Sequence, residues 1–329
     1  MSEQFLFFCT NIGNEKFLKE EIRVFYPDLS LSYSRKGFIT FKNKGILYDI
    51  ETISQLEVTF ATRVGICLGK ANPAALLELV EKSLEEWRID LGKCIVHNFS
   101  INTNYCFEAS KVFKRVVNEY SPINKTVLDV MSLGDKEIWY GVHKVGKNTT
   151  YYPNSKTAII VPELSPSRAY LKIAETVELF NVKFDKLDSW LDFGSAPGGA
   201  SYFLLNRGCK VWGIDPAPVS GIVTDHPDYS HFFSPVQDLS QEELPDRDIS
   251  WVHADLNLNP KQSIKEVLRL CKKYNFTLKG IILTIPVIKM DHVKNIENFE
   301  DHFHEWGFSN VIGRQIPSHK QEYVIIAKR

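Results

Sequence analysis

Residues 189–201 have the sequence Ser-Trp-Leu-Asp-Phe-Gly-Ser-Ala-Pro-Gly-Gly-Ala-Ser. The apolar run around Asp192 predicts a buried strand that arrives at the edge of a sheet. The glycines that follow let the backbone turn sharply and approach a ligand closely, because no side chain keeps the ligand away. A predicted helix then ends at the basic Arg207 and at Gly208, and a second apolar strand ends at Asp215. This order of strand, glycine turn, helix, strand and acid predicts a nucleotide-binding crevice.

The second acid and the glycine spacing indicate which nucleotide the crevice would hold. Asp215 lies close to the roughly 20-residue separation at which a carboxylate meets ribose hydroxyls in such folds. The turn lacks the lysine of a phosphate-binding loop, and its glycines do not have the G-x-G-x-x-G spacing of dinucleotide sites. S-adenosylmethionine has a ribose, an adenine and an amino-acid tail but no phosphate, so it fits better than NAD. An ordinary glycine-rich turn is the alternative, and Asp192, the Pro-Gly-Gly and Asp215 together favour the cofactor.

Composition and cysteine usage indicate the class of protein. The chain has 329 residues, 44% of them hydrophobic and 24% charged, which is typical of a globular protein. A prior of roughly 150 residues per domain then gives two or three domains. The six cysteines are scattered without a C-x-x-C pair, which argues against disulfides and against a zinc site. The first residues carry no signal-peptide pattern and no segment is as long as a membrane span, so we expect a cytoplasmic protein without a membrane or metal partner. No feature of the sequence specifies an oligomeric state.

The net charge of −1 gives no global field that would attract a nucleic acid. Any RNA contact must therefore come from local basic patches. The tip of a predicted hairpin, residues 34–36, is one such patch. Lys111, Lys114 and Arg115 form another, because a predicted helix over 111–117 would bring them to one face. A solvated surface explains both patches about equally well.

The first half of the chain predicts two small α+β units, residues 1–65 and residues 66–155. In the first unit, strands are predicted at 5–9, 29–33 and 37–41, and a helix at 15–26. In the second unit, an amphipathic helix is predicted at 74–87, strands at 94–101 and 137–143, and the basic helix at 111–117. The polar and turn-rich residues 148–154 are a predicted linker to the rest of the chain.

Residues 156–329 predict a third unit of a different kind. Start signals at Ser165 and Pro166 predict a helix. Apolar runs predict strands at 189–193, 210–215, 230–234, 249–254, 279–285 and 322–327, and a helix is predicted at about 291–305. Strands that alternate with helices form mainly parallel sheets covered by helices on both faces, so we predict an α/β fold for this unit.

Four motifs of the third unit have characteristic spacings, and they are Ser167-Arg168-x-x-x-Lys172, Asp192-x-Gly194-x-x-Pro197-Gly198-Gly199, Ile249-Ser250-Trp251-Val252-x-x-Asp255, and Arg314-Gln315 before Glu322-x-Val324. With these motifs, residues 160–329 resemble the FtsJ-type ribose 2′-O-methyltransferases, and most closely the RlmM branch, which acts on large-subunit ribosomal RNA. The resemblance implies a Rossmann-like α/β domain that uses S-adenosylmethionine. In general layout, residues 1–65 and 66–155 resemble the ferredoxin-like domain and the RNA-binding THUMP domain of that branch.

The resemblance also implies roles for individual residues. The glycine turn would line the methionine tail of the cofactor through Gly194, Ser195, Ala196, Pro197, Gly198 and Gly199. Asp215 would hold the cofactor ribose, and Asp238 would meet the adenine amino group, although it could equally cap a helix. Asp255 would belong to the cofactor site and also to a catalytic set of the order Lys-Asp-Lys-Glu. Lys172, Asp255 and Glu322 match the first, second and fourth places of that set.

The third place of the catalytic set falls on Thr284, which departs from the family pattern. Two adjacent lysines depress each other's pKa, so that one of them can be neutral and accept the proton of a ribose hydroxyl. Without the second lysine, Lys172 lies among carboxylates that favour its charged form, which can orient a substrate but cannot act as a base. Three outcomes stay open: Lys289 takes the vacant place, Lys172 or Asp255 acts as a weaker base, or the domain binds cofactor and RNA without catalysis.

The sequence therefore predicts an S-adenosylmethionine-dependent RNA methyltransferase that modifies a ribose 2′-hydroxyl of 23S-type ribosomal RNA. We expect the N-terminal units to hold part of the RNA. The alternative is a catalytically weak or inactive RNA-binding homologue, because of Thr284. A dehydrogenase-like dinucleotide enzyme is a third hypothesis, which the glycine spacing disfavours.

Overall fold

The computed structural model describes residues 3–117, 121, 123–146, 152–153 and 157–329. The chain divides into two units, Met1–Thr157 and Ala158–Arg329. The predicted start of the third domain, residue 156, is close to this division. Most of the predicted linker at 148–154 lies outside the described residues.

The first unit is a mixed sheet with associated helices. Its elements are β1 Gln4–Cys9, α1 Glu15–Phe25, β2 Leu29–Arg35, β3 Phe38–Asn43, β4 Arg63–Ala71, α2 Leu76–Glu86, β5 Ile95–Ser100, β6 Thr126–Ser132 and β7 Ile138–Lys144. These strands form one sheet in the order β2-β3-β1-β4-β7-β6-β5. Neighbouring strands are antiparallel, except for the parallel pair of β5 and β6. Phe7, Phe38 and Trp139, from three of the strands, belong to one buried apolar cluster.

The strand β4 crosses the predicted boundary between residues 65 and 66. It pairs with β1, from the first predicted domain, and with β7, from the second. Residues 1–65 and 66–155 therefore share one sheet and belong to the same unit. The assignment of a ferredoxin-like and a THUMP-like domain to these residues stays a prediction.

The predicted basic helix over 111–117 is wrong. A single 3-10 turn ends at Lys111, and the residues after it are not helical. The amide of Val96 in β5 donates to the Arg115 carbonyl over 2.9 Å, and the Val117 amide donates back to Val96 over 2.9 Å. The valine-rich segment is therefore hydrogen-bonded to β5. Strand-like pairing suits β-branched residues better than a helix does. The basic side chains of this segment consequently share no helical face.

A buried charge network lies within the sheet of the first unit. The side chains of Arg63 in β4 and Asp129 in β6 are fully buried, and Arg63 Nη1 is 2.9 Å from Asp129 Oδ1. His143 in β7 completes the network, with Nδ1 2.6 Å from Asp129 Oδ2 and Nε2 3.2 Å from Arg63 Nη1. Ionised groups are found inside proteins only when they are paired, so these three strands depend on one another through this contact.

The protonation states of the network follow from its surroundings. Burial and the charge of Arg63 together lower the pKa of His143 although the neighbouring Asp129 raises it, so the ring is neutral. Burial alone would raise the pKa of Asp129, but the Arg63 guanidinium brings it below its usual value. A neutral His143 donates from Nδ1 to the carboxylate and accepts at Nε2 from Arg63, so both ring nitrogens have partners.

The second unit is an α/β sheet with both parallel and antiparallel strands. Its elements are α3 Ala169–Leu179, β8 Ser189–Phe193, α4 Gly199–Leu205, β9 Lys210–Ile214, α5 Gly221–Thr224, β10 Tyr229–Phe232, β11 Trp251–Asp255, α6 Pro260–Cys271, β12 Gly280–Pro286, α7 Met290–Lys294, α8 Ile296–Glu305, β13 Asn310–Arg314 and β14 Glu322–Lys328. The strand order is β10-β9-β8-β11-β12-β14-β13. The five adjacent strands β10, β9, β8, β11 and β12 are parallel to one another, and β14 is antiparallel to both of its neighbours. The predicted Rossmann-like α/β fold is confirmed.

Some elements of the second unit differ from the prediction. The first helix begins at Ala169 instead of Pro166, and the Ala169 amide donates to the Ser167 hydroxyl over 3.3 Å. The helix expected at about 291–305 is divided at Asn295 into α7 and α8. The strand β13 was not predicted, because its short sequence alternates only weakly.

Two further findings concern the described part of the chain as a whole. Its helices are all too short or too polar to cross a lipid bilayer. The six cysteines all lie among the described residues and are free thiols.

The buried network gives a stability prediction. Asp129→Ala leaves the guanidinium of Arg63 buried without its carboxylate, so we expect the free energy of unfolding to fall by about 3–5 kcal/mol. Urea unfolding of the whole chain measures this loss. Asp135→Ala is the matched control, because Asp135 is exposed and its removal should change the free energy by no more than about 0.5 kcal/mol. Equal stability of the two variants would contradict this account of the network.

Candidate active site

Two glycines of the 189–201 stretch are required by the packing of the protein itself. Gly194 has φ +78°, and a Cβ there would lie 2.2 Å from the Asp255 carbonyl oxygen. A Cβ on Gly199 would lie 2.3 Å from the Ser167 hydroxyl, which precedes α3. Only glycine therefore allows the turn after β8 to pass β11, and α4 to pack against the start of α3. The role of this turn in holding a cofactor stays a proposal.

The first acid of the stretch is internal. The carboxylate of Asp192 is fully buried, accepts the Ser201 hydroxyl over 2.5 Å, and accepts His253 Nδ1 over 2.7 Å. Asp192 is in β8, Ser201 is in α4 and His253 is in β11. This carboxylate thus fixes the helix after the glycine turn against two strands, and it forms part of the scaffold of the crevice.

The second acid, Asp215, follows β9 and is partly exposed. Its Oδ2 accepts the Ala196 amide over 3.1 Å and its Oδ1 accepts the Ala217 amide over 2.8 Å. The carboxylate therefore ties the loop after β8 to the loop after β9. Each carboxylate oxygen has further lone pairs, so both can still accept a ligand hydroxyl.

Asp238 has a different setting. Its side chain is exposed in a turn after β10, and its amide donates to the Pro235 carbonyl over 3.1 Å. In the described structure the next helix begins at Pro260, so Asp238 does not cap a helix. The alternative of a helix cap is therefore wrong, and contact with an adenine stays a proposal.

Three side chains that are far apart in the sequence meet at the edge where the parallel strands end. Lys172 projects from α3, Asp255 ends β11 and Glu322 begins the antiparallel strand β14. Lys172 Nζ is 3.0 Å from Asp255 Oδ2 and 2.9 Å from Glu322 Oε1. In α/β sheets this edge is where ligands bind. We call these three residues the Lys172 cluster.

The Lys172 cluster has a defined charge. Burial alone would lower the pKa of Lys172, but Asp255 and Glu322 together raise it above its ordinary value. The amine is therefore protonated at neutral pH. A protonated Lys172 can donate hydrogen bonds, but it cannot accept a proton from a substrate.

The structure also describes the other residues considered for the third catalytic place. Thr284 is buried in β12, between Asp255 of β11 and Val324 of β14 in the strand register. Lys289 is exposed immediately before α7. Of the described residues, those that line the cleft beside Lys172 do not include Lys289.

A cleft of about 390 Å³ opens beside the Lys172 cluster. It is lined by Ser167, Arg168, Ala169, Lys172, Ala196, Asp255, Ser318, Lys320 and Glu322. The sequence motifs contained most of these residues, including Ala196 of the glycine turn. They did not contain Ser318 and Lys320, which lie in the loop between β13 and β14. No local signal marks those two, because their position depends on how β14 returns beside β12.

No group of three or more His, Cys, Asp or Glu side chains is arranged to hold a metal ion within the part of the chain that the structure describes. The polar groups of the cleft instead comprise ammonium, guanidinium, hydroxyl and carboxylate side chains. Such a set suits a polar organic substrate that is held by hydrogen bonds and charge.

The buried acid gives a second stability prediction. Asp192→Ala leaves the Ser201 hydroxyl and the His253 ring without their shared acceptor, and each buried unsatisfied group costs about 1–3 kcal/mol. We expect a loss of about 2–5 kcal/mol in the free energy of unfolding, measured by urea titration. Ser201→Ala removes one bond and should cost less. If Ser201→Ala cost as much as Asp192→Ala, the carboxylate would not join both partners.

Comparison with known proteins shows what the second unit is similar to. Residues 166–312 match the family model described as FtsJ-like methyltransferase. The ribosomal RNA large subunit methyltransferase M of Laribacter hongkongensis is 34% identical over 109 residues, which cover 30% of this chain and 29% of that protein. Its counterpart in Pseudomonas fluorescens Pf0-1 is 28% identical over 188 residues, which cover 48% of this chain and 52% of that protein.

The chain thus spans about a third to a half of the length of these curated relatives. Among solved structures, a ribosomal RNA methyltransferase from Plasmodium falciparum is similar at 17% identity and a TM-score of 0.40, over 50% of this chain and 97% of that one. The family match extends from the loop before α3 into β13, and so includes Lys172, the glycine turn and Asp255. Residues 166–312 are therefore similar to the FtsJ-like methyltransferases.

Proposed function

We propose that the protein is an S-adenosylmethionine-dependent RNA methyltransferase that modifies a ribose 2′-hydroxyl of 23S-type ribosomal RNA. The observation that carries this proposal is the Lys172 cluster beside a cleft that also contains Ala196 of the glycine turn. Such a cleft can bring an acceptor hydroxyl and a methyl donor together at one sheet edge. The relatives named for large-subunit ribosomal RNA support the choice of substrate.

The donor set of the crevice suits S-adenosylmethionine. Asp215 would accept the ribose hydroxyls, because it is partly exposed and keeps free lone pairs beside the glycine turn. The turn from Gly194 to Gly199 would hold the methionine tail, through Ser195, Ala196, Pro197 and Gly198 among others. Asp238 would accept the adenine amino group from its exposed turn. When bound, the cofactor supplies a methyl group on a positively charged sulfur, which becomes a neutral thioether on transfer.

The acceptor hydroxyl must lose its proton as the new O–CH₃ bond forms. The protonated Lys172 would orient this oxygen, but the proton must go to another group. We assign that role to the carboxylate of Asp255, which Lys172 holds in the cleft through Oδ2. Glu322 would fix Lys172 from the other side. A carboxylate is a weak base toward an alcohol, so the proposal implies slow turnover.

The first unit offers a surface for the RNA backbone. Arg35 pairs with Glu137 over 2.8 Å, and Lys70 and Lys136 line a small cavity of about 250 Å³ with the same glutamate. The Lys70 ammonium lies 5.7 Å from the centre of the Trp139 ring. Clustered cations beside aromatic rings are typical of sequence-independent binding to phosphates and bases. This surface contains the basic hairpin tip and supports the proposal that the first unit holds part of the RNA.

A catalytically weak or inactive RNA-binding homologue is the second candidate. It is favoured by the buried Thr284 and by the protonated state of Lys172, which together leave the Lys172 cluster without a neutral amine. The two candidates share the same cofactor and RNA sites. They differ only in turnover, and therefore one assay separates them.

A cytoplasmic location belongs to the same proposal. Six free thiols, several of them buried, suit a reducing compartment. Burial raises the pKa of Cys94 and Cys209 to about 11, so these thiols are protonated at neutral pH.

Methyl transfer is the direct test of the proposal. We expect the purified chain to transfer labelled methyl from S-adenosylmethionine to an unmodified transcript of large-subunit ribosomal RNA, with the label recovered as a 2′-O-methyl nucleoside. Asp215→Ala should weaken cofactor binding about 10–100-fold in calorimetry, because it removes charge-assisted hydrogen bonds. Asp246→Ala, which removes an exposed carboxylate, is the control. Cofactor binding without turnover would favour the inactive homologue, especially if Thr284→Lys created activity, and absence of cofactor binding would refute both.

The assigned base gives a kinetic prediction. Asp255→Asn keeps the shape of the side chain but cannot take up the proton, so we expect kcat to fall at least about 100-fold. Single-turnover kinetics with saturating cofactor measures the chemical step. Asp291→Asn serves as the control, because that carboxylate is exposed in α7. A loss of less than fivefold for Asp255→Asn would exclude this residue as the base.

A further inference from the structure

The loop between β13 and β14 brings a second lysine to the cleft. Lys320 lines the same cleft as Lys172 and is exposed. It lies beyond residues 166–312, the span that the methyltransferase family model matches. The motifs of the second unit do not include Lys320, and its neighbours in the sequence do not indicate a site residue.

Buried side chains fix the backbone of this loop. Gln315, which is buried at the end of β13, donates its Nε2 to the Lys320 carbonyl over 3.4 Å and to the Glu322 carbonyl over 3.1 Å. The Ser318 amide donates over 2.8 Å to Glu175, a buried carboxylate one turn after Lys172 in α3. The loop is therefore attached both to the strand that carries Glu322 and to the helix that carries Lys172.

The residue between Ser318 and Lys320 supports the same arrangement. His319 is buried, and burial together with the charge of Lys172 holds its pKa well below the usual range. It is therefore neutral and adds no charge to the loop. A buried side chain at 319 leaves the exposed Lys320 as the cationic residue that this loop presents at the cleft.

The charges of the cleft require such a cation if the substrate is RNA. Lys172 with Asp255 and Glu322 carries one net negative charge, which would repel a phosphate. When Arg168 and Lys320 are included, the residues that line the cleft have a net charge of +1. Neither Asp255 nor Glu322 can be neutralised further by Lys172, which already contacts both.

We propose that Lys320 binds the RNA phosphate next to the ribose that is methylated, and so positions the 2′-hydroxyl in the cleft. The inference rests on the proposed RNA methyltransferase function. The role requires a positive charge at this place and no proton transfer. Phosphate contacts of this kind fix the register of a nucleic acid without reading its sequence.

Lys320→Gln, Lys320→Arg and Lys289→Gln test the proposal, the last as an exposed lysine outside the cleft lining. The probe is an unmodified transcript of large-subunit ribosomal RNA. We expect Lys320→Gln to raise the KM for RNA about 5–10-fold with kcat within about twofold, and to reduce the slope of log Kobs against log salt by about one. Lys320→Arg should keep both values near those of the wild type, and Lys289→Gln should change neither.

The controls separate this inference from the proposed enzyme function. Calorimetry with S-adenosylmethionine and thermal unfolding should be unchanged in Lys320→Gln, which shows that the site is intact. RNA binding needs no turnover, so a reduced salt slope in a chain that transfers no methyl would support the phosphate contact and refute the activity. Unchanged KM and slope in Lys320→Gln would overturn the inference alone, as would a loss of kcat in Lys320→Arg, which indicates a proton-transfer role. A wild-type chain that does not bind RNA would overturn both.

Discussion

The contact of one ammonium group with two carboxylates is the interaction on which the candidate site depends. Lys172, in the helix α3, contacts Asp255 in the parallel strand β11 and Glu322 in the antiparallel strand β14. The three side chains are 20–27% exposed, so the desolvation of their charges is incomplete and the ion pairs are compatible with a stable fold. Asp192 and Asp215 hold the surrounding turns, one from inside the sheet and one from its edge.

The same contact determines what the cleft can do. Because both carboxylates stabilise the ammonium form of Lys172, this lysine can donate hydrogen bonds but cannot accept a proton. Because the cluster keeps a net negative charge, a polyanionic substrate needs other cations. The chain as a whole has a net charge of −1, so these cations must be local. Local cations are present at the cleft of the second unit, namely Arg168 and Lys320, and beside Glu137 in the first unit.

Much of the second unit could be predicted from the sequence, because its strands are apolar runs and its motifs are contiguous. Strands β8, β9 and β12 lie within a residue or two of their predicted bounds. The helix expected at 111–117 failed because the spacing of its basic residues resembles a helical face, whereas backbone bonds to Val96 decide its structure. Gly199 was interpreted as a residue for ligand approach, but contact with Ser167 also requires it. Lys320 could not be found, since its location depends on tertiary hydrogen bonds of Gln315 and Glu175, which the motifs near these residues do not reveal.

Thr284 connects these observations. Its place in β12 is buried, and in the strand register it lies between Asp255, one of the two carboxylates that hold Lys172, and Val324. A threonine leaves those carboxylates to a single ammonium group, which keeps Lys172 charged. A cation that must meet a substrate phosphate has to lie outside this ion-pair arrangement, on a segment that can present it to solvent. The loop that carries Lys320 has a fixed backbone, and its lysine is exposed at the cleft. Under the proposed function, a carboxylate would therefore take up the proton and the ammonium group of Lys320 would position the substrate.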